Sequence, residues 1–257
     1  MRRCNVLLVL AVSIVLAGCQ LFGDDKPAIE RWSGVLAEMR YQWDAEPGID
    51  VDMGAAVPVR AYLESRELAE SMGNLDFAYP GFTRAMPSGP DPNLRPNVGY
   101  PPSKPYVGNM RYHLLALHRT GDAVTATVCK YGYTVASEDG NGKFRSVSAG
   151  RSEPKGIDAE RITLAAPISQ PSPLPPQAGP LPAPSDDVFG DWRITEFLFA
   201  TKPGFASQWP TYDADLAKCV EKAPDSPERR AYLVDGAHPR SDFPTSPPSP
   251  GWPAASG

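Results

Sequence analysis

Thirty prolines in 257 residues set the first limit on this chain, because they are bunched rather than spread. Eight fall between Pro80 and Pro105 and eight more between Pro167 and Pro184. Proline donates no backbone hydrogen bond and breaks both helix interiors and central strands. These stretches therefore read as loops or extended polyproline segments, as does the tail after Pro239. What remains between them is enough for about one ordinary domain. No internal repeat is present.

Ahead of that domain, Arg2 and Arg3 precede an apolar run from Val6 to Leu16, followed by the small residues Ala17 and Gly18 and then Cys19. Basic start, apolar centre and small residues are the layout of an export signal. The run is shorter than the roughly 20 residues of a permanent membrane span. Leu16-Ala17-Gly18-Cys19 closely resembles the bacterial lipobox, at which prolipoproteins are acylated on the cysteine thiol and cut before it. The resemblance implies a signal peptide at 1–18, a mature N-terminus at Cys19 bearing a diacylglycerol, and a short tether at 19–26. Two or more acyl chains anchor stably where one does not. The expected address is the extracytoplasmic side of a cell membrane.

Removing residues 1–18 takes away two arginines and no acid, so a formal charge of -5 becomes -7. Such a chain is a poor partner for nucleic acid, whose phosphates need clustered Lys and Arg. Of the four cysteines, Cys4 leaves with the signal and Cys19 is taken by lipid. Cys129 and Cys219 remain as a pair in an oxidising compartment, where a disulfide is expected and free thiols are the other reading. The bond would close a loop of about 90 residues, worth roughly 4 to 5 kcal/mol in the chain-entropy model.

Along the chain, Ile29, Trp32, Leu36, Met39 and Trp43 recur at helical spacing after Pro27 and predict a first helix. A second is predicted at 56–72, stopped by Gly73 and Asn74. Strands are predicted at 110–118, 123–137, 161–168 and 191–200, with a turn at "RTGD". Within 123–137, Val124, Ala126 and Val128 share one parity while Tyr131, Tyr133 and Val135 have the other, which predicts a bulge near Gly132. A short helix at 212–222 would return Cys219 to the sheet. The expectation is one α+β domain at 27–222, N-terminal helices on a bent, mainly antiparallel sheet of four to five strands, with Pro-rich insertions at 80–105 and 167–184. The segment 223–257 is expected to be a disordered tail.

This order, with "GDAVTATVCKYGYTV" and "GDWRITEF", resembles the nuclear transport factor two-like domains, whose cone-shaped sheet wraps a helix. The mixture of lipobox, proline loops and small domain is similar to that of small lipoproteins from high-GC Gram-positive bacteria. The first likeness implies a cone interior that holds an apolar cavity or an acid and base. Tyr131, Tyr133, Trp192, Phe197 and Phe199 are the candidates to line it, although core and sheet packing explains them better than a binding box does.

Other motifs dissolve on inspection. "SEDGNGKF" lacks the first acid and the final glutamate of a calcium loop and reads as a hairpin. "SEPK" has the SxxK spelling, but Pro154 argues for a loop and no SDN or KTG follows. His113 and His118 differ by an odd number and would point to opposite faces of a regular strand. Asp44, Glu46, Asp50 and Asp52 read as a solvated acidic turn. No catalytic residue, metal set or cofactor is therefore expected. The function expected is an envelope lipoprotein that binds or scaffolds an envelope protein or an apolar small ligand, with a carrier or enzyme built on the cone as the other possibility.

Overall fold

The computed structural model describes residues 30–86, 92–151, 153–167, 175–201 and 203–254. After a 3-10 turn at Gly34–Leu36 come β1 (Glu38–Ala45), α1 (Ala56–Met72) and the single turn α2 (Phe82–Ala85). Then follow β2 (Tyr106–Thr120), β3 (Ala123–Tyr131), β4 (Val135–Gly140), β5 (Lys143–Ser146), β6 (Ile157–Ala165) and β7 (Arg193–Phe199). The chain closes with α3 (Phe205–Gln208), α4 (Tyr212–Glu221), α5 (Pro227–Val234) and the two-residue β8 (His238–Pro239). The result is a mixed α+β fold whose sheet has 8 strands among the described residues, more than the four to five expected.

The long strand β2 is the axis of this sheet. One edge pairs in parallel with β1, from Glu38 opposite Val107 to Ala45 opposite Leu114. The other edge pairs antiparallel first with β3 and then with β4. Arg111 faces Tyr131 and Gly108 faces Val135, so three residues on one strand lie opposite two on the other. This is the bulge expected near Gly132, sealed by the Thr134 hydroxyl donating to the Asn109 carbonyl at 2.6 Å. Its parity change is narrower than expected. Tyr131 and Tyr133 stay with Cys129 on one face, and only Val135 crosses to join Ala126 and Val128 on the other.

The predicted first helix is a correction. Within its described part the chain makes the 3-10 turn and then β1, while Pro27 and Ile29 lie outside the described residues. Met39 and Trp43 fit a helix, but Met39, Tyr41 and Trp43 also alternate as in a strand. Pairing along β2 satisfies the backbone while aiming all three at one core. The second helix lies where expected. Gly73 ends it with φ 66°, and the Asn74 amide donates to the Ala69 carbonyl at 3.1 Å.

Nearly all sides of α1 are buried, because the proline-rich segments cover it. Leu181 and Trp252 exchange backbone hydrogen bonds of 3.0 and 2.7 Å. Trp43 donates its amide to Ser249 at 2.6 Å, laying the chain end beside β1. Gly179 and Gly251 allow this crossing, since a Cβ on either would collide with backbone of the other segment. The expected disordered tail is thus corrected: α5, β8 and the strap to Ala254 are ordered. Trp252 is 1 % exposed in the main core, which supplies the burial that proline-rich composition alone hides.

Two cores result, one on each face of the sheet. The first lies under α1 and includes Trp43, Tyr62, Leu68, Phe82, Phe189 and Trp252. The second joins Cys129, Tyr131, Tyr133, Trp209, Cys219 and Phe243 beneath α4 and α5. Cys129 on β3 and Cys219 on α4 form the expected disulfide.

Candidate functional site

Strand pairing places an unusual row of side chains on the face under α1. Tyr112 lies opposite Lys130, and Lys130 lies opposite Asp158. Two residue pairs further on, and so on the same face, Glu160 lies opposite Val128. Because side chains alternate, Lys130 follows Val124, Ala126 and Val128 inward, and Glu160 follows Leu164 and Ile162. From above, α1 contributes Arg66, Glu67 and Glu70. A cavity of about 250 Å³ opens here, lined among others by Arg66, Glu67, Lys130, Glu160, Phe197 and Phe199. A neighbouring cavity of about 230 Å³ shares Glu67, Glu70, Lys130, Arg151 and Asp158.

Three of the four carboxylates here are matched. Lys130 pairs with Glu67, Arg66 with Glu70 at 2.9 Å, and Arg151 with Asp158 through bonds of 2.7 and 3.0 Å. Arg66 also donates to the Asn93 carbonyl at 2.8 Å and lies 4.8 Å from the centre of the Phe197 ring. Glu160 is left over. It is 7 % exposed, and its Oε2 has no hydrogen-bond partner among the described residues. The Tyr112 hydroxyl is likewise buried without a partner among the described residues.

Burial pushes the Glu160 pKa up to about 7, with Lys130 opposing and Glu67 and Asp158 reinforcing the rise. For Lys130, burial works against the charge, but Glu67 and Glu160 outweigh it and the pKa rises. The site thus pairs a held cation with a carboxyl that exchanges its proton near neutrality, a combination suited to accepting a proton or a positively charged group.

The folded pKa of Glu160 lies above the ordinary glutamate value of 4.5, so the folded state holds the extra proton between those values. Stability from this group is full below pH 4.5 and lost as pH rises through about 7, a change on the order of 3 kcal/mol. Glu160→Gln is therefore expected to stabilise the protein by about 1 to 3 kcal/mol at pH 8 and by little at pH 5. Urea unfolding at the two pH values measures this, and equal effects at both would overturn it.

The five aromatics named from sequence do not line one box. Phe197 and Phe199 line the cavity, and Trp192 packs against the same core. Tyr131 and Tyr133 lie on the other face, donating to the Cys219 carbonyl and the Asp225 carboxylate, each at 3.0 Å. Glu67, Lys130 and Glu160 went unnamed. Their signal was available: a charged residue at an inward parity of a strand is costly unless matched.

The opposite face carries a larger groove of about 760 Å³, lined by Glu46, His118, Arg161, Trp209, Lys218 and Lys222 among others. Its cations are matched, Arg161 with Glu196, Lys218 with Asp215 and Lys222 with Glu46. A register shift at Leu115 corrects the histidine expectation. His113 lies opposite Cys129 and His118 opposite Thr125, which puts both on the α4 face. His113 is clamped by Asp44 at 2.7 Å and Glu46 at 3.0 Å, and the Asp44 bond leads the forces that raise its pKa. The acidic turn is likewise divided, with Asp44 and Glu46 on His113 and Asp52 on the buried Arg60 at 2.7 Å.

"SEDGNGKF" is the β4–β5 hairpin, turning at Asn141 and Gly142 with φ 54° and 68°. In "SEPK", Ser152 lies outside the described residues and Pro154 and Lys155 are in a turn. Among the described residues no group of His, Cys, Asp and Glu is placed to hold a metal ion, and no helix is long and apolar enough to cross a membrane. Cys19 lies outside the described residues. No protein-family model, curated protein or solved structure matches the chain significantly.

Proposed function

We propose that this protein is a lipid-anchored cell-envelope binding module, tethered through an acylated Cys19, whose folded domain takes a small ligand in the cavity under α1. The anchor rests on one observation, the apolar run closing in Leu16-Ala17-Gly18-Cys19. The Cys129–Cys219 disulfide suits the oxidising side of a membrane. For the binding role the support is Glu160, a buried carboxyl facing a cavity without a partner among the described residues.

Cys19→Ala tests the anchor. The wild type is expected in the membrane fraction with a mass raised by acylation, and the variant in the soluble fraction without it. A variant that stays in the membrane as the wild type does would overturn the anchoring claim.

A further inference from the structure

Resting on that reading of the cavity, we propose that its ligand is a small organic ammonium ion, whose N–H groups donate to Glu160 and whose hydrocarbon part lies against Phe197 and Phe199. Charge matching carries this choice. Glu67, Glu70 and Asp158 already hold Lys130, Arg66 and Arg151, so among the described residues the site has four carboxylates and three cations. One positive charge completes it. An anion would enter beside an unmatched carboxylate and be repelled. A hard metal ion would need several carboxylate oxygens at once, and three of the four carboxyl groups are engaged.

Glu160 gives the site its specificity, because it lines the cavity and its buried Oε2 has no partner among the described residues. A buried acceptor left without a donor is destabilising, and a charged donor reverses that. Size and lining fix the rest. About 250 Å³ is below the roughly 300–1,000 Å³ of pockets for drug-sized ligands, so the guest is small. Arg66 already lies 4.8 Å from the centre of Phe197 and 5.9 Å from that of Phe199, so these rings offer the guest hydrocarbon contact rather than a second cation site.

Proton and ammonium compete for the same carboxyl. Charged groups facing Glu160 are Lys130 from β3, Asp158 from β6, and Glu67 and Arg66 from α1. With Glu160 titrating about neutrality, affinity rises about tenfold between pH 6 and pH 8, and binding at pH 7 releases about half a proton.

The test is titration of the full detergent-solubilised chain with n-butylammonium, with n-butanol and butyrate as its neutral and anionic counterparts. Calorimetry in two buffers reads affinity and proton release, and the aromatic NMR signals of Phe197 and Phe199 report occupancy. Butylammonium is expected to bind alone of the three, with Glu160→Gln weakening it at least about tenfold. Phe199→Ala, which leaves every charge in place, is expected to weaken it about threefold through lost methylene contact. Equal binding of butanol, or undiminished binding to Glu160→Gln, overturns the ligand class. Butyrate moving the two ring signals while butylammonium does not would overturn the class and leave the cavity as a ligand site. Silence of both rings toward all three probes overturns the cavity reading as well.

Discussion

Trp252→Ala is expected to cost about 5 kcal/mol, enough to remove a third or more of the stability of an ordinary domain. The indole is 1 % exposed, with the Tyr79 ring 5.7 Å away in a T-shaped arrangement and the Arg60 guanidinium 4.4 Å from its centre. Its Nε1–H donates at 2.8 Å to Glu64, a carboxylate that also receives Trp43 at 2.7 Å and Tyr79 at 2.6 Å. Burial still raises the Glu64 pKa against those three donors and Arg60. Losing one donor therefore falls on a group already short of solvation. Arg60, fully buried, also donates to the Pro250 and Gly251 carbonyls at 3.0 and 3.3 Å. Emptying the Trp252 site loosens both ends of the Arg60–Glu64 turn of α1. Trp252→Phe keeps one six-membered ring but removes the N–H and about a third of the indole, so it should cost about 2 to 3 kcal/mol. Denaturant unfolding measures both, and a loss under about 1 kcal/mol for the alanine variant would show that the C-terminal strap is no part of the cooperative fold.

That the chain end builds the core explains where sequence reading stopped. Residues 223–257 look unfoldable because burial is judged from local pattern, and Trp252 is buried only by meeting Leu181, Glu64 and Tyr79 from distant parts of the chain. Helix α1, the "RTGD" turn, the bulge near Gly132 and the return of Cys219 were legible because caps, turns and parity are local signals. The segment 32–43 was not, since Trp32, Leu36, Met39 and Trp43 satisfy a helical period and Met39, Tyr41 and Trp43 an alternating one. An open edge of β2 decided between them. The site was half legible: Phe197 and Phe199 stood out as aromatics, whereas Lys130 and Glu160 gained their meaning from a register that pairs β3 with β6.

Replacing both Cys129 and Cys219 by alanine is expected to cost about 4 to 5 kcal/mol, since the bond closes a loop with a sequence separation of 90 residues. Where that loss falls is the more telling result. Cys129 stands on β3 and Cys219 on α4, both fully buried, and their link joins the sheet to the layer that covers its second face. Trp209, Leu233 and Phe243 also hold that layer, but much of α4 itself is exposed, with only Cys219 fully buried on it. By contrast, α1 is enclosed on nearly all sides by the first core and owes nothing directly to the disulfide. Without the bond, α4 should open while the first core holds, as the less stable of two cooperative units. Hydrogen exchange is expected to speed up strongly across Tyr212–Glu221 and little across Ala56–Met72. Equal acceleration in the two helices would mean that the faces of the sheet unfold as one, and that the disulfide stabilises the whole domain rather than its outer layer.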